Sequence, residues 1–278
     1  MIFTTPSTTS EASATATRAP VGYASATSAL TGSIIRSWVR DPIMLIQTII
    51  FPILLLVLFH LVFGSTMSRM GGENSIGGTT ALLILVSTMQ GSIVANIRLI
   101  NARDGGLLDR WWSLPMAHAT ILLARLVAVF LYAMVVTLLL IVVGMVLGLR
   151  FEGSFLEVLA SLLAAMILAG FFGAACSALV LLLSIRGSEK SAVTTFSGIF
   201  MLLMFFNTGF APANAYPWWI RWFIRHQPMS PTIESMRVFF AGQPDGGATL
   251  EFCCWTAAIL LVCGAGAYHA MKSTIGSR

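Results

Sequence analysis

The chain has 278 residues, of which 57% are hydrophobic and only 10% are charged, and its formal net charge is +5. Because an ordinary soluble domain has roughly 45–50% apolar and about 25% charged residues, this composition excludes a soluble globular protein and predicts an all-α integral membrane protein. The basic residues form no dense cluster, so a nucleic-acid partner is not expected.

The N-terminal part of the chain differs from the rest. Residues 1–24 are rich in Ser, Thr and Ala and lack the apolar core of a secretory signal, which predicts a disordered cytosolic tail. Residues 25–278 are expected to form one membrane domain. From Gly22 to Arg40 apolar side chains recur near helical spacing, which predicts an amphipathic helix in the membrane interface. Alternatively, this stretch is the extended start of the first span.

Six apolar segments are long enough to cross a bilayer. A hydrocarbon core of about 30 Å needs roughly 20 helical residues, and the continuous apolarity of these segments favours helices over the alternating strands of a membrane barrel. With the N-terminus inside, more Lys and Arg residues fall on the cytosolic side than outside, so both termini are expected in the cytosol. The predicted spans are residues 43–64, 79–99, 119–147, 156–183, 191–212 and 252–271.

The chain shows little catalytic chemistry of its own. The four cysteines fall in apolar spans without Cys-x-x-Cys spacing and the four histidines are scattered, so no metal or redox site is expected. The sequence contains no P-loop and no hydrolase or metalloprotease motif, so neither a catalytic residue nor a cofactor is assigned to this chain. Arg125, about two turns into the third span, is expected to snorkel to the surface; a buried functional charge is the alternative.

The connection Asn101–Pro115 reads N-A-R-D-G-G-L-L-D-R-W-W-S-L-P and is a charged island between two apolar runs. Gly105 and Gly106 allow a sharp change of direction, and Pro115 ends any helix before the third span. The segment is compatible with a short amphipathic helix that binds a soluble partner. The alternative is a polar loop that carries interfacial tryptophans, and composition alone does not exclude it.

Polar side chains recur at helical spacing on the second and fifth spans. A lipid-facing surface would leave their hydrogen bonds unmet, so they either line a substrate path or hold neighbouring helices together. In the first case a mixture of hydroxyl groups, Met and Phe suits an amphiphilic cargo. The residues assigned to the path are Thr88, Gln90, Ser92 and Asn96 on the second span, and Thr194, Ser197, Met201, Phe205 and Asn207 on the fifth.

The outer segment from Phe210 to Gly242 is too polar to span the membrane and is rich in aromatic residues. Its first part, around Trp218 and Trp222, predicts a short helix at headgroup level. Pro228 and Pro231 are expected to break that helix before a second amphipathic stretch. From its residues alone, the segment anchors the chain in the outer membrane interface.

Three motifs occur in order along the chain: Trp38-Val39-Arg40-Asp41-Pro42, the Arg-Asp-Gly-Gly-Leu-Leu-x-Arg-x-x-x-x-Pro segment that ends at Pro115, and Gly209-x-x-Pro212-x-x-x-x-Pro217-x-Trp219 followed by His226-Gln227-Pro228-x-Ser230-Pro231. Together they resemble type-2 ABC transporter permeases, close to the daunorubicin/doxorubicin-resistance group of actinobacteria. The resemblance implies a six-span permease of the bacterial plasma membrane with an interfacial helix, a cytosolic coupling helix and short outer re-entrant helices.

The resemblance also implies partners and a mode of action. Two separate ATPase subunits would bind ATP and Mg²⁺, and a second permease, identical or paralogous, would complete a dimer in contact with membrane lipid. The complex would export a hydrophobic or amphiphilic substrate such as a lipid, polyketide or drug. The residues implied to contact the ATPase are Arg103, Asp104, Leu108, Arg110, Trp112 and Pro115, with Arg36, Arg40 and Asp41 as neighbours.

An ion-coupled secondary transporter or a channel-like protein is the alternative function. Such transporters usually show an internal repeat, interrupted helices and carboxylates within the membrane. The sequence shows no repeat, and no acidic residue falls deep inside a predicted span.

Overall fold

The computed structural model describes residues 23–71, 75–104, 118–186, 189–209, 211–243 and 245–276. The regular structure in these ranges is helical and includes no strand, as the apolar runs predict. Most of the predicted tail, residues 1–22, lies outside them.

The first helix, α1 (Tyr23–Val39), is separate from the first apolar helix. A turn at Arg40 ends α1. The Asp41 carboxylate then accepts a hydrogen bond of 2.9 Å from the Ile43 N–H at the start of the next helix. That helix comprises α2 (Pro42–Leu45), a π-helical turn (Ile46–Ile50) and α3 (Phe51–Gly71). The amphipathic stretch is therefore a helix of its own, and not the start of the first span.

Among the described residues, four helices are long and apolar enough to cross a membrane: α4 (Ser75–Asp104), α5 (His118–Val146), α6 (Phe155–Arg186) and α10 (Gly246–Gly276). Two of the six predicted spans have shorter apolar helices among the described residues. These are Ile46–Val62 and the stretch Thr194–Phe205 of helix α7 (Glu189–Phe205). The sequence predicted that the fifth span continues to residue 212, but α7 ends at Phe205.

Helix α4 occupies the centre of the bundle. Its stretch Ile76–Asn96 is 89% buried, compared with 22% for Gly246–His269 of α10. Leu82, Leu83 and Ile84 are consecutive and fully buried, so α4 contacts protein on every side. Its neighbours are α3, α5, α6 and α9 (Met229–Phe240).

The segment between α7 and α10 forms a short 3₁₀ turn, Ala213–Ala215, and two helices, α8 (Trp218–His226) and α9. Helix α8 exposes its tryptophans, with Trp218 83% exposed, whereas α9 buries Met229, Ile233 and Met236 completely. The predicted break falls at Gln227 and Pro228 alone. Pro231 lies inside the first turn of α9, where the missing N–H costs no helical hydrogen bond.

Candidate transport and coupling sites

The charged island is only partly within the described residues. Arg103 and Asp104 form the C-terminal end of α4, and nothing is described of their side chains. Leu108, Arg110, Trp112 and Pro115 lie outside the described residues, so their contact with a partner stays a prediction.

Helix α1 is fixed to the bundle through one polar and one aromatic contact. The Thr31 hydroxyl donates a hydrogen bond of 3.1 Å to the Ala124 carbonyl of α5. Trp38 is 5% exposed and packs against Ala95 of α4 and Ala128 of α5. Arg36 and Arg40 are exposed, while Asp41 is half-buried at the following turn. Arg36 of α1 and Arg40 of the following turn are therefore exposed, while the side of α1 that carries Thr31 and Trp38 is packed against the bundle.

The polar stripe of α4 is buried against α6. The Ser92 hydroxyl lies 2.9 Å from the Thr88 carbonyl and 3.1 Å from the Gly173 carbonyl of α6. The Asn96 amide donates to the Ser177 hydroxyl at 3.0 Å. A Cβ on Gly173 would lie 2.6 Å from the Thr88 side chain, so α6 has no room for a larger residue at this crossing. Within this chain the stripe functions as helix packing.

The polar stripe of α7 has the opposite environment. Thr194 and Ser197 are exposed, and so are Met201 at 60% and Phe205 at 58%. On α4, Gln90 is likewise exposed although its neighbours are buried. These five side chains, Thr194, Ser197, Met201, Phe205 and Gln90, are the predicted path residues that remain accessible in the isolated chain.

Asn207 caps the C-terminal end of α7. It is fully buried, and its side-chain amide donates to the Leu203 and Met204 carbonyls. Its side-chain oxygen accepts a 2.7 Å hydrogen bond from the Gly209 N–H, and its backbone carbonyl accepts one of 3.0 Å from the Tyr216 hydroxyl. Burial raises the pKa of the Tyr216 phenol. The amide that the sequence assigned to the path is thus engaged in ending the helix.

Arg125 does not lie at the surface, where the sequence predicted it. Its side chain is 6% exposed, so it does not snorkel. Its Nε and Nη1 atoms have no hydrogen-bond partner among the described side chains. The residue follows Ala124, the backbone contact of α1, so a buried cation lies beside the base of that helix.

A cavity of about 440 Å³ opens between the end of α7, α8, α9 and the start of α10. Arg237 closes one side, because its Nη2 donates to the Thr208 carbonyl at 3.1 Å and its Nη1 donates to Glu234 at 3.3 Å. Across the cavity, His226 and Glu251 are 2.7 Å apart. Sequence analysis had not assigned Arg237 a structural role. Gly78 of α4 leaves room for the Arg237 guanidinium, because a Cβ at position 78 would overlap with Arg237 Nη2.

In the part of the chain that the structure describes, no three His, Cys, Asp or Glu side chains lie close enough together to hold a metal ion.

Comparison with known proteins identifies relatives over most of the chain. The ABC-2 type transporter family matches residues 25–241, from α1 to the end of α9. The probable doxorubicin resistance ABC transporter permease protein DrrC of Mycobacterium tuberculosis is 32% identical over 233 residues, 84% of this chain and 83% of the relative. The daunorubicin resistance ABC transporter permease protein DrrB1 of Streptomyces coeruleorubidus is 24% identical over 205 residues, 72% of this chain and 70% of that relative.

Proposed function

Because the chain belongs to the ABC-2 type transporter family, we propose that it is the permease subunit of an ATP-driven exporter whose ATP is hydrolysed by a separate subunit. The family match over residues 25–241 carries this proposal. The sequence adds support, since these 278 residues contain no P-loop with which to bind ATP. ATP and Mg²⁺ then belong to the partner.

The proposed topology has six spans, with both termini on the cytosolic face of a bacterial plasma membrane. Four helices have the required length, and the apolar stretches Ile46–Val62 and Thr194–Phe205 supply the first and fifth spans. Helix α1 then lies in the cytosolic interface, and α8 lies in the outer one with its tryptophans at headgroup level. Helix α9, buried at the same end as α8, acts as a re-entrant helix beneath the outer surface.

The proposed ATPase contact combines the segment from Arg103 to Pro115 with the basic face of α1. Exposed Arg36 and Arg40 support this contact, since they are available to a partner while Trp38 on the same helix is packed into the bundle. ATP binding would supply a differential interaction energy that biases the permease between two states. A push on α1 would reach α4 and α5 directly.

The proposed cargo is a hydrophobic or amphiphilic molecule, of the lipid, polyketide or drug class. The exposed face of α7 supports it, because the hydroxyl groups of Thr194 and Ser197 are followed along it by Met201 and Phe205. Doxorubicin and daunorubicin, the drugs that appear in the names of the relatives, are also amphiphilic. A second permease, identical or paralogous, would cover the remainder of this face and enclose the path.

The experiment is co-expression of the tagged chain with candidate P-loop ATPases from the same genome. We expect the ATPase to co-purify with the chain, and Arg110→Ala or Trp112→Ala to reduce its retention. Trp218→Ala is the matched control, because Trp218 is 83% exposed on α8 at the other end of the bundle. Equal retention in all variants would contradict the proposed coupling surface, and failure of the unmodified chain to retain the ATPase would contradict the proposed function.

A further inference from the structure

The first apolar helix contains a π turn whose cause lies in the sequence. In a regular α-helix the Thr48 carbonyl would accept a hydrogen bond from the N–H of residue 52. Residue 52 is proline, which has no N–H and whose ring crowds the carbonyl four residues earlier. The helix widens just before it, and Phe51 N–H bonds to the Ile46 carbonyl, five residues back.

A tyrosine from another helix supplies a donor to that carbonyl. The Tyr132 hydroxyl of α5 donates to the Thr48 carbonyl at 3.3 Å. Pro52 offers this carbonyl no N–H, and the Tyr132 hydroxyl is a donor to it from a neighbouring helix. Hydrogen bonds between membrane helices stabilise their contact, so this one holds the π turn against α5.

The ring of Tyr132 contacts two further elements. It meets Trp38 of α1 edge to face, with ring centroids 5.9 Å apart and an interplanar angle of 84°. On its other side lies Gly91 of α4, where a Cβ would be 2.1 Å from a ring carbon of Tyr132. One side chain therefore touches α1, the π turn and α4 at once.

The surroundings leave this contact room to change. A cavity of about 140 Å³ lies beside the ring, with an almost wholly apolar wall. Ile35 and Trp38 of α1, Leu45 and Thr48 of the first span, and Val136 of α5 are among its lining residues. Movement of α1 could be accommodated here without breaking into the close-packed core around α4.

We propose that Tyr132 is a positioning residue, which transmits displacement of α1 to the π turn of the first span and to α4. The inference rests on the proposed function for the origin of the displacement, which is the ATPase beneath α1, and for the cargo whose stimulation of ATP hydrolysis reports its transmission. In this proposal the π turn is the element that rearranges. Its hydrogen bond to Tyr132 holds the arrangement described above, and displacement of α1 breaks that bond.

The direct test is hydrogen–deuterium exchange on the purified chain in lipid nanodiscs, which needs no ATPase. Tyr132→Phe removes one hydroxyl, and we expect about fivefold faster exchange of the amides at 46–51, the change that corresponds to one lost hydrogen bond. Tyr216→Phe is the matched control, since it removes the 3.0 Å hydrogen bond from a tyrosine hydroxyl to the Asn207 carbonyl at the opposite end. Its effect should be confined to residues near 207. Unchanged exchange at 46–51 in Tyr132→Phe would overturn the proposal.

A second variant tests the same contact from α4. Gly91→Ala would displace the Tyr132 ring, and we expect it to raise exchange at 46–51 as Tyr132→Phe does. Gly198→Ala is its control, because a Cβ there meets nothing within 4 Å. If Gly91→Ala leaves exchange at 46–51 unchanged, the ring does not link α4 to the turn and the proposal fails.

The transmission step is tested in the complex with the ATPase. We expect Tyr132→Phe to retain the ATPase and its basal hydrolysis but to lose most of the stimulation by doxorubicin. A merely structural role would lower retention and basal rate together. Full stimulation despite faster exchange at 46–51 would show that the bond does not transmit motion, and would overturn the proposal. Failure of the unmodified chain to bind the ATPase would instead count against the proposed function, while the exchange result on Tyr132 would stand.

Discussion

Helices α4 and α7 both carry hydroxyl side chains at helical spacing, yet their environments differ. On α4 the Ser92 hydroxyl is bound to Gly173 of α6, and Asn96 is bound to Ser177 of the same helix. On α7, Thr194 and Ser197 are exposed. The difference teaches that a polar stripe on a membrane helix has two uses. A stripe faced by small residues holds two helices together, whereas one without such a neighbour is available to a second subunit or a cargo.

The largest expected difference between the two polar stripes comes from adding one methyl group beside each of them. Gly173→Ala would place a Cβ 2.6 Å from the Thr88 side chain, while Gly198→Ala meets open space. Overpacking costs about 1–3 kcal/mol, whereas an alanine in an exposed helix is favoured over glycine by about 0.5–1 kcal/mol. We expect the thermal midpoint in detergent to fall for Gly173→Ala and to hold or rise for Gly198→Ala. A lower midpoint for both would show that α7 is also covered.

A smaller difference is expected from removing one hydroxyl from each stripe. Ser92→Ala eliminates the hydrogen bonds of 2.9 and 3.1 Å that join α4 to its own backbone and to α6. Interhelical hydrogen bonds in membranes contribute about 0.6 kcal/mol on average and at most about 1.7 kcal/mol. Ser197→Ala removes an exposed hydroxyl and should leave stability unchanged. Reversible unfolding of both variants measures the change in the free energy of unfolding. Equal losses of stability would contradict the difference between the stripes of α4 and α7.

The sequence predicted the helices well because long apolar runs are visible without any tertiary contact. It also predicted that the segment after α7 forms short helices, since Trp218, Arg221 and Trp222 fall on a helical repeat. The end of α7 was placed seven residues too late, because the stop depends on the Asn207 side chain turning back onto the Leu203 and Met204 carbonyls. Apolar composition carries no information on such a cap.

The candidate sites were predictable in part. Periodicity grouped the polar residues of α4 on one face, but it could not show that α6 would cover that face with Gly173 and Ser177. The contact between the π turn and α5 was missed for the same reason. Pro52 was visible in the sequence, whereas the hydroxyl that bonds to the Thr48 carbonyl belongs to Tyr132, which is 80 residues from Pro52 in the chain.

The smallest expected effect on stability, with the clearest effect on function, comes from truncating the exposed face of α7. Met201→Ala and Phe205→Ala remove side chains that are 60% and 58% exposed, so the thermal midpoint should hold. We expect a severalfold loss of doxorubicin-stimulated ATP hydrolysis in the complex, because the cargo would lose apolar contact area. Phe155→Ala is the control, since Phe155 is 82% exposed at the start of α6. Stimulation that survives in both α7 variants would remove this face from the path.

Transport of doxorubicin, used as an amphiphilic probe of the proposed cargo class, into inside-out membrane vesicles tests the central claim most directly. Vesicles that contain this chain and its ATPase should accumulate the drug with ATP. They should not do so with ADP, or when the ATPase carries a P-loop Lys→Ala substitution, and a protonophore should have no effect. Accumulation driven by a proton gradient and indifferent to the ATPase would contradict the account, and would identify an ion-coupled transporter instead.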